Sequence, residues 1–196
     1  MNKRQKRGLL ILMVGVLLLF AGLGIHLAQQ QEDAAAGRTA TLLLQQLDDE
    51  TVIKLETNDD PFLPKKTYMG YSLIGEIDIP SVGIRLPVLD DWNQEMLKAA
   101  PCRYQGSISD NNMIVMGHNY KHHFDPLHKI EIGAQVQFRN AVGAVLTYRV
   151  AKIEYLHRTQ GENLPSADYP LTLFTCTASG LDRIVVRCEA VETTIS

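Results

Sequence analysis

The stretch LTLFTCTASGLDRIVVRCEA, residues 171–190, holds two apolar runs separated by a turn, and its reading as a pair of strands decides the fold. LTLFTC and RIVVRCEA are rich in β-branched and large apolar residues, as strands are, while TASGLD between them carries the small and polar residues of a connection. Cys176 ends the first run and Arg183 opens the second. Strand ends are where side chains from different strands converge on one cleft, so a thiol and a fixed cation are expected to meet there.

Upstream runs extend the pattern. NNMIVMGH (111–118) closes another apolar run with His118, and AQVQF (134–138) and AVLTYRVAKIEYL (144–156) come after it. Ahead of these, YSLIGEIDIP (71–80) alternates in part and stops at Pro80, SVG turns, and IRLPVL (84–89) forms a second strand. NQEMLKAAP (93–101) has helix formers and stops at a proline. Many short strands at this spacing predict a mainly β domain, a barrel or a sandwich, beginning near Tyr68. No internal repeat, low-complexity tract, GxGxxG or Walker sequence is present.

The N-terminus is built differently. MNKRQKR places four basic side chains within seven residues, and residues 8–28 come next without a formal charge. Residues 8–27, as a helix at about 1.5 Å per residue, reach about 30 Å, the thickness of a bilayer's hydrocarbon core. The basic cluster before the span predicts an N-terminus inside and a chain outside. A cleaved signal peptide is the rival reading, because DAAAG (33–37) offers small residues, but a signal's apolar region is usually about 7 to 15 residues long. GRTATLLLQQLDDETVIKLET (37–57) carries leucines among charges and predicts a short amphipathic stalk helix. NDDPFLPKK (58–66), with two prolines, predicts a non-helical linker. The expected organisation is thus a basic tail (1–7), an anchor (8–28), a stalk and linker (29–67) and one folded domain (68–196).

A net charge of −3 and a pI near 6.1 leave no basic stripe to neutralise a run of phosphates, which argues against a nucleic-acid partner. Three cysteines, Cys102, Cys176 and Cys188, leave at least one thiol unpaired, and Cys176 is the candidate. Cys102 and Cys188 fit either a disulfide in an oxidising setting or two small buried residues.

A thiol at its free pKa of about 8.5 is a poor nucleophile, so a catalytic cysteine requires a base or cation nearby. His118 and Arg183, both at strand ends, are the partners of choice for Cys176. His122, His123 and His128 lie close to His118 in sequence, but without a second cysteine or carboxylate at ligand spacing no metal site is expected. Arg187 competes with Arg183, because alternation puts both on one face of a strand.

TLFTC (172–176) fits the TLxTC signature of sortases, the membrane-anchored cysteine transpeptidases of Gram-positive bacteria. IGEIDIPSVGIRLPVL (74–89) resembles the family's opening strands, NNMIVMGHNY its histidine segment and RIVVR (183–187) its arginine strand, all in the family's order. The resemblance spans roughly residues 71–191. It implies a closed β-barrel with short helices behind an N-terminal transmembrane helix, and a catalytic domain outside the membrane. It also implies an LPxTG-like sorting signal as substrate. Cys176 would attack the carbonyl between threonine and glycine to form a thioester, which an amine of the cell wall or of a pilin then resolves. His118 would be the general acid and base, Arg183 would bind the developing oxyanion, and Thr175 would help hold the peptide beside the thiol. The family's arginine is the one that opens its strand, which favours Arg183 over Arg187. No cofactor is implied.

Departures from the family's subclasses are also visible. Asp60, Pro61 and Phe62 spell the lid motif of pilus-polymerising sortases, yet lie close to the first strand. After Glu189 only AVETTIS remains, without the second membrane segment of that subclass. Residues 157–170 are too few for the long helical insertion of class B, and Asp110 with nearby asparagines is too little for the calcium site of some members. Two alternatives use the same residues: a cysteine peptidase or amidase with water as acceptor, and a non-catalytic anchored module that holds a peptide without covalent capture.

Overall fold

In the computed structural model, which describes residues 3–49, 55–56, 60–157, 159–160, 164 and 169–191, the alternating runs become strands of one sheet. The chain divides into two compact units, Met1–Ala35 and Ala36–Ser196. Helix α1 (Lys3–Asp48) is continuous from its basic start through the expected stalk, so the span and the stalk helix are a single element. In the first unit the apolar side chains point outward, with Leu19 at 75% and Phe20 at 70% exposed. Among the described residues no protein surface covers them, which fits a helix solvated by lipid.

The second unit opens with the last turns of α1. Ala36, Ala40, Leu43 and Leu47, spaced four, three and four apart, form one buried stripe, while Leu42 off that stripe is exposed. Leu43 and Leu47 join Leu73, Leu89, Leu97 and Cys102 in a core cluster of their own. Full burial of a leucine contributes about 1.5 to 3 kcal/mol, enough to hold these turns in place. The helix end is also tied down, since Lys66 Nζ donates to the Leu47 carbonyl at 2.8 Å and Asp48 pairs with Arg139 and Arg85. Residues 36–48 thus belong to the compact unit, ahead of Tyr68, where the sequence pattern places the start of the folded domain. The amphipathic helix expected to run to Thr57 stops at Asp48, and Leu55–Glu56 is a short strand, β1. Residues 50–54 and 57 of that expected helix lie outside the described ones.

The remaining strands are β2 (Lys65–Tyr68), β3 (Tyr71–Ile79), β4 (Ile84–Leu89), β5 (Cys102–Gln105), β6 (Met113–Met116), β7 (Gln135–Asn140), β8 (Val145–His157), β9 (Leu171–Cys176) and β10 (Asp182–Ala190). Strand β2 occupies the end of the expected linker, and β5 is a strand that the sequence pattern did not announce. The order is β1-β2-β3-β4-β5-β6-β9-β10-β8-β7, and an extra β3–β7 pairing closes the last eight into a barrel. Closure removes the free edges of the barrel strands, and β1 and β2 extend the sheet from β3. Strand β3 can pair with both β4 and β7 because Gly75 stands where the backbones crowd. A Cβ there would lie 2.3 Å from the Arg139 carbonyl. Inside the barrel, Ile77, Phe138, Val150, Leu173 and Val186 pack into the main core. The short helix α2 (Gln94–Ala99) is capped by Asn93, whose side chain accepts from the amides of Glu95 and Met96 at 2.9 Å each.

Two pairings bring three strand ends together. Strands β6 and β9 run parallel, with Met116 opposite Phe174, and β9 and β10 run antiparallel, with Cys176 opposite Arg183. The C-terminal ends of β6 and β9 and the N-terminal end of β10 therefore share one end of the barrel.

Candidate active site

Strand alternation sorts the β9 side chains by face. Leu171 and Leu173 enter the interior core, and Thr175 takes the same side. Thr172, Phe174 and Cys176 take the outer face, where Phe174 packs with Ile114, Leu164 and Val185. Cys176 is exposed, whereas Cys102 and Cys188 are buried, and all three are free thiols. Burial pushes Cys102, which also lies near Asp91, and Cys188 up to about 12. Neither is a nucleophile at neutral pH. They occupy different core clusters, so the two-buried-residues reading describes them and the disulfide does not form.

Arg183 stands directly across the ladder from Cys176 on that outer face, half-buried, with its guanidinium carbon 5.9 Å from the centroid of the Phe174 ring. A cation over an aromatic face at this distance is attracted to it, which gives the long side chain a seat beside the thiol. The connection from Cys176 to Arg183 is a tight turn. Thr177 N and Oγ1 both donate to the Asp182 carbonyl, at 2.9 and 3.1 Å, and Gly180 N donates to the Thr177 carbonyl at 2.9 Å.

His118 reaches the same end of the barrel from β6. Gly117 N donates to the Phe174 carbonyl at 3.1 Å, which carries the β6–β9 register one residue beyond β6 and brings His118 level with the end of β9. Gly117 is required because the Phe124 ring lies against it; a Cβ would meet Phe124 Cδ2 at 2.5 Å. Phe124 N in turn donates to the His118 carbonyl at 3.0 Å, and Asn119 Nδ2 donates to the Thr177 carbonyl at 3.2 Å, tying the histidine loop to the residue after Cys176. The imidazole of His118 stacks on Tyr120, with ring centroids 4.7 Å apart.

The structure thus brings His118, Cys176 and Arg183 to one barrel end and sets Arg187 apart. Arg187 is 2% exposed and satisfied on several sides: Nε donates to Glu154 Oε2 at 3.0 Å, and Nη1 to the Leu164 carbonyl at 2.7 Å and to Thr172 Oγ1 at 3.2 Å. The Glu154 carboxyl is held below its usual range, first by its hydrogen bond from Lys152 and, against the cost of burial, by Arg187. Thr175, expected to help hold the peptide, is 1% exposed, and its hydroxyl lies inside without a hydrogen-bond partner among the described residues, on the face of β9 opposite that of Cys176.

The lid motif also finds a different use. The Asp60 carboxylate accepts from the amides of Ile108 and Ser109 at 2.8 and 3.1 Å, from the Ser109 hydroxyl at 2.6 Å and from Phe62 N at 2.8 Å. Burial opposes its charge, yet these hydrogen bonds together hold the carboxyl below its usual range. They fasten the segment to the turn before β6, at the opposite end of that strand from His118. The segment is a strap rather than a lid.

Sequence reasoning missed the aromatic row on the outer face. Trp92 lies 5.6 Å from Tyr104, and Tyr104 lies 5.4 Å edge-on from Phe174. Asp90, Trp92, Arg103 and Tyr104 also line an open cavity of about 330 Å³. The one signal available was Phe174, an aromatic at the variable position of TLFTC. No cluster of His, Cys, Asp and Glu among the described residues could hold a metal ion.

A family model for the sortase domain matches residues 77–191. Among solved structures, sortase C1 from Streptococcus suis is 28% identical, with a TM-score of 0.53, covering 63% of this chain and 75% of its own. Listeria monocytogenes sortase A is 21% identical, with a TM-score of 0.56 and coverage of 61% and 88%. A Clostridium perfringens sortase D5 transpeptidase is 16% identical, with a TM-score of 0.57 and coverage of 81% and 99%. The last two establish likeness of fold. No curated protein matches the chain at a significant level.

Proposed function

Because the chain belongs to the sortase family of cysteine transpeptidases, we propose that it cleaves an LPxTG-like sorting signal through a thioester on Cys176 and passes the acyl group to an amine. The observation that carries this reading is the register: the one exposed thiol of the chain stands directly opposite Arg183, at the barrel end that His118 also reaches.

The chemistry rests on what each group can do there. Cys176 Sγ, as thiolate, attacks the scissile carbonyl. Arg183 offers a permanent positive charge and several N–H donors to the oxyanion that develops, in a seat set by Phe174. His118, as imidazolium, gives a proton to the departing amine, and as imidazole takes one from the incoming amine that resolves the thioester. The acceptor is an amine of a cell-wall precursor or of a pilin, and the substrates are exported proteins with a C-terminal sorting signal. The uncharged, outward-facing first part of α1 supports a single-pass anchor, and the basic residues before it support a cytoplasmic N-terminus with the barrel outside.

Intact mass of the full-length chain in detergent, after incubation with an LPxTG-like peptide, tests this reading. The expected result is an adduct of the peptide's acyl portion on Cys176, released as an amide when an amine is added. Absence of an adduct across a library of sorting peptides and amines overturns it. An adduct that turns over equally with and without amine transfers the assignment to a peptidase.

A further inference from the structure

We propose that Tyr120 is a positioning residue for His118, its ring fixing the plane in which the imidazole meets the reacting groups. The inference rests on the assignment of His118 as acid and base, and concerns a residue outside the triad. The two rings are stacked, with centroids 4.7 Å apart and planes inclined by 27°. Tyr120 also meets the ring of His123, whose centroid is 5.5 Å away and which is 1% exposed.

The backbone of the loop is equally constrained. The Tyr120 carbonyl accepts from His123 N at 2.9 Å and Asp125 N at 3.2 Å, while the His118 carbonyl accepts from Phe124 N at 3.0 Å. Phe124 is fully buried against Gly117 and anchors the turn in the main core. A histidine side chain otherwise samples several staggered wells at its first torsion and a broad range at its second. With Tyr120 against one face the imidazole keeps one plane, and mis-aiming a catalytic group is costly in rate. An aromatic face also favours a positive charge laid against it, so the stack favours the imidazolium that donates to the leaving amine. The other titratable or charged groups around this loop are Cys176 at the end of β9, Asp182 and Arg183 at the start of β10, Lys121, His122, His123 and Asp125 from the loop itself, and Arg38 on α1, which packs on His122 at the neighbouring Gly37.

The test uses the full-length chain in detergent micelles with two ring-deleting variants, Tyr120→Leu and Tyr120→Met, and one ring-keeping variant, Tyr120→Phe. Those with native circular dichroism are compared by single-turnover acylation. The ring-deleting variants are expected to acylate about tenfold or more slowly with KM little changed. The alkaline limb of their pH–rate profile moves to lower pH, since less imidazolium survives at a given pH. Tyr120→Phe stays close to wild type. A ring-deleting variant with wild-type acylation and an unmoved alkaline limb overturns the proposal, as does Tyr120→Phe failing to the same degree. NMR separates this outcome from failure of the functional assignment. The ring protons of His118, shielded by the tyrosine, move downfield in the ring-deleting variants whether or not any peptide is turned over, and unmoved signals overturn the stack itself.

Discussion

Arg183 and Arg187 stand on the same face of β10, four residues apart, and face Cys176 and Thr172 respectively across the same ladder. Arg183 is half-buried, seated on Phe174 beside an exposed thiol. Arg187 is 2% exposed, with Glu154, Thr172 and the Leu164 carbonyl around it. The difference teaches that the ladder assigns the two arginines to opposite tasks by what covers them. A fully buried guanidinium bonded to protein acceptors is withdrawn from a substrate oxyanion, whereas a half-buried one at a strand end beside the exposed thiol is placed to meet it.

The contrast breaks most completely at the thiol. Cys176→Ala is expected to abolish covalent capture of an LPxTG-like peptide, read by intact mass, with circular dichroism and thermal melting unchanged because the side chain is exposed. Capture persisting in that variant, with transfer to Cys102 or Cys188 excluded by peptide mapping, would falsify the mechanism.

Next in size is the open-end arginine. Arg183→Lys keeps the charge and loses the planar set of donors, and loss of an oxyanion donor costs about 10²- to 10³-fold in turnover. Single-turnover acylation is expected to fall by that factor with peptide affinity little changed. At the closed end the sign of the experiment reverses. Arg187→Lys leaves acylation by the folded protein near wild type but lowers stability by about 1 to 3 kcal/mol in a urea melt, because one ammonium cannot reach all three acceptors that the guanidinium serves. If Arg187→Lys is the slow enzyme and Arg183→Lys the unstable one, the two assignments are exchanged.

The smallest effect sharpens the same contrast on β6, which leads into His118 at one end and is strapped by Asp60 at the other. Asp60 has its carboxyl held low in the folded state, so its contribution to stability is present above its unfolded pKa and is lost as pH falls through the folded one. Asp60→Asn is expected to cost about 1 to 3 kcal/mol near neutral pH, and the gap from wild type should close in acid, where both side chains are neutral. Urea melts across a pH series check this, and a gap that persists unchanged in acid would show that the charge is not what holds the strap. Acylation near neutral pH should be unaffected, which separates a strap from a lid.

Much of the fold and of the site was legible in the chain itself. An uncharged run of bilayer length after a basic cluster, the alternating runs that became β3, β4 and β6 to β10, the helix formers before Pro101 and the order of histidine, cysteine and arginine are all local signals. They depend on side-chain chemistry and on periods of 2 or 3.6 residues, which any short window carries. Strand β5 and the pairing of β2 with β3 were not legible, because neither CRYQ nor KKTY alternates clearly, and each is a strand only because a neighbour supplies its partner.

The face shared by Arg183 and Arg187 was fixed by sequence, since a strand repeats every second residue; which arginine remained open was decided by Glu154 on β8 and Leu164 beyond it, 33 and 23 positions away. The same holds for Thr175, whose neighbour in sequence is the thiol but whose neighbours in space are the barrel core. It holds for Asp60, whose motif spelled a lid and whose carboxylate was claimed by amides 48 and 49 positions on. Sequence alone determined which groups the chain could bring to its chemistry, because residue type and period are local. Only the closed barrel decided which of them stayed open to solvent, because burial is set by contacts between strands far apart in the chain.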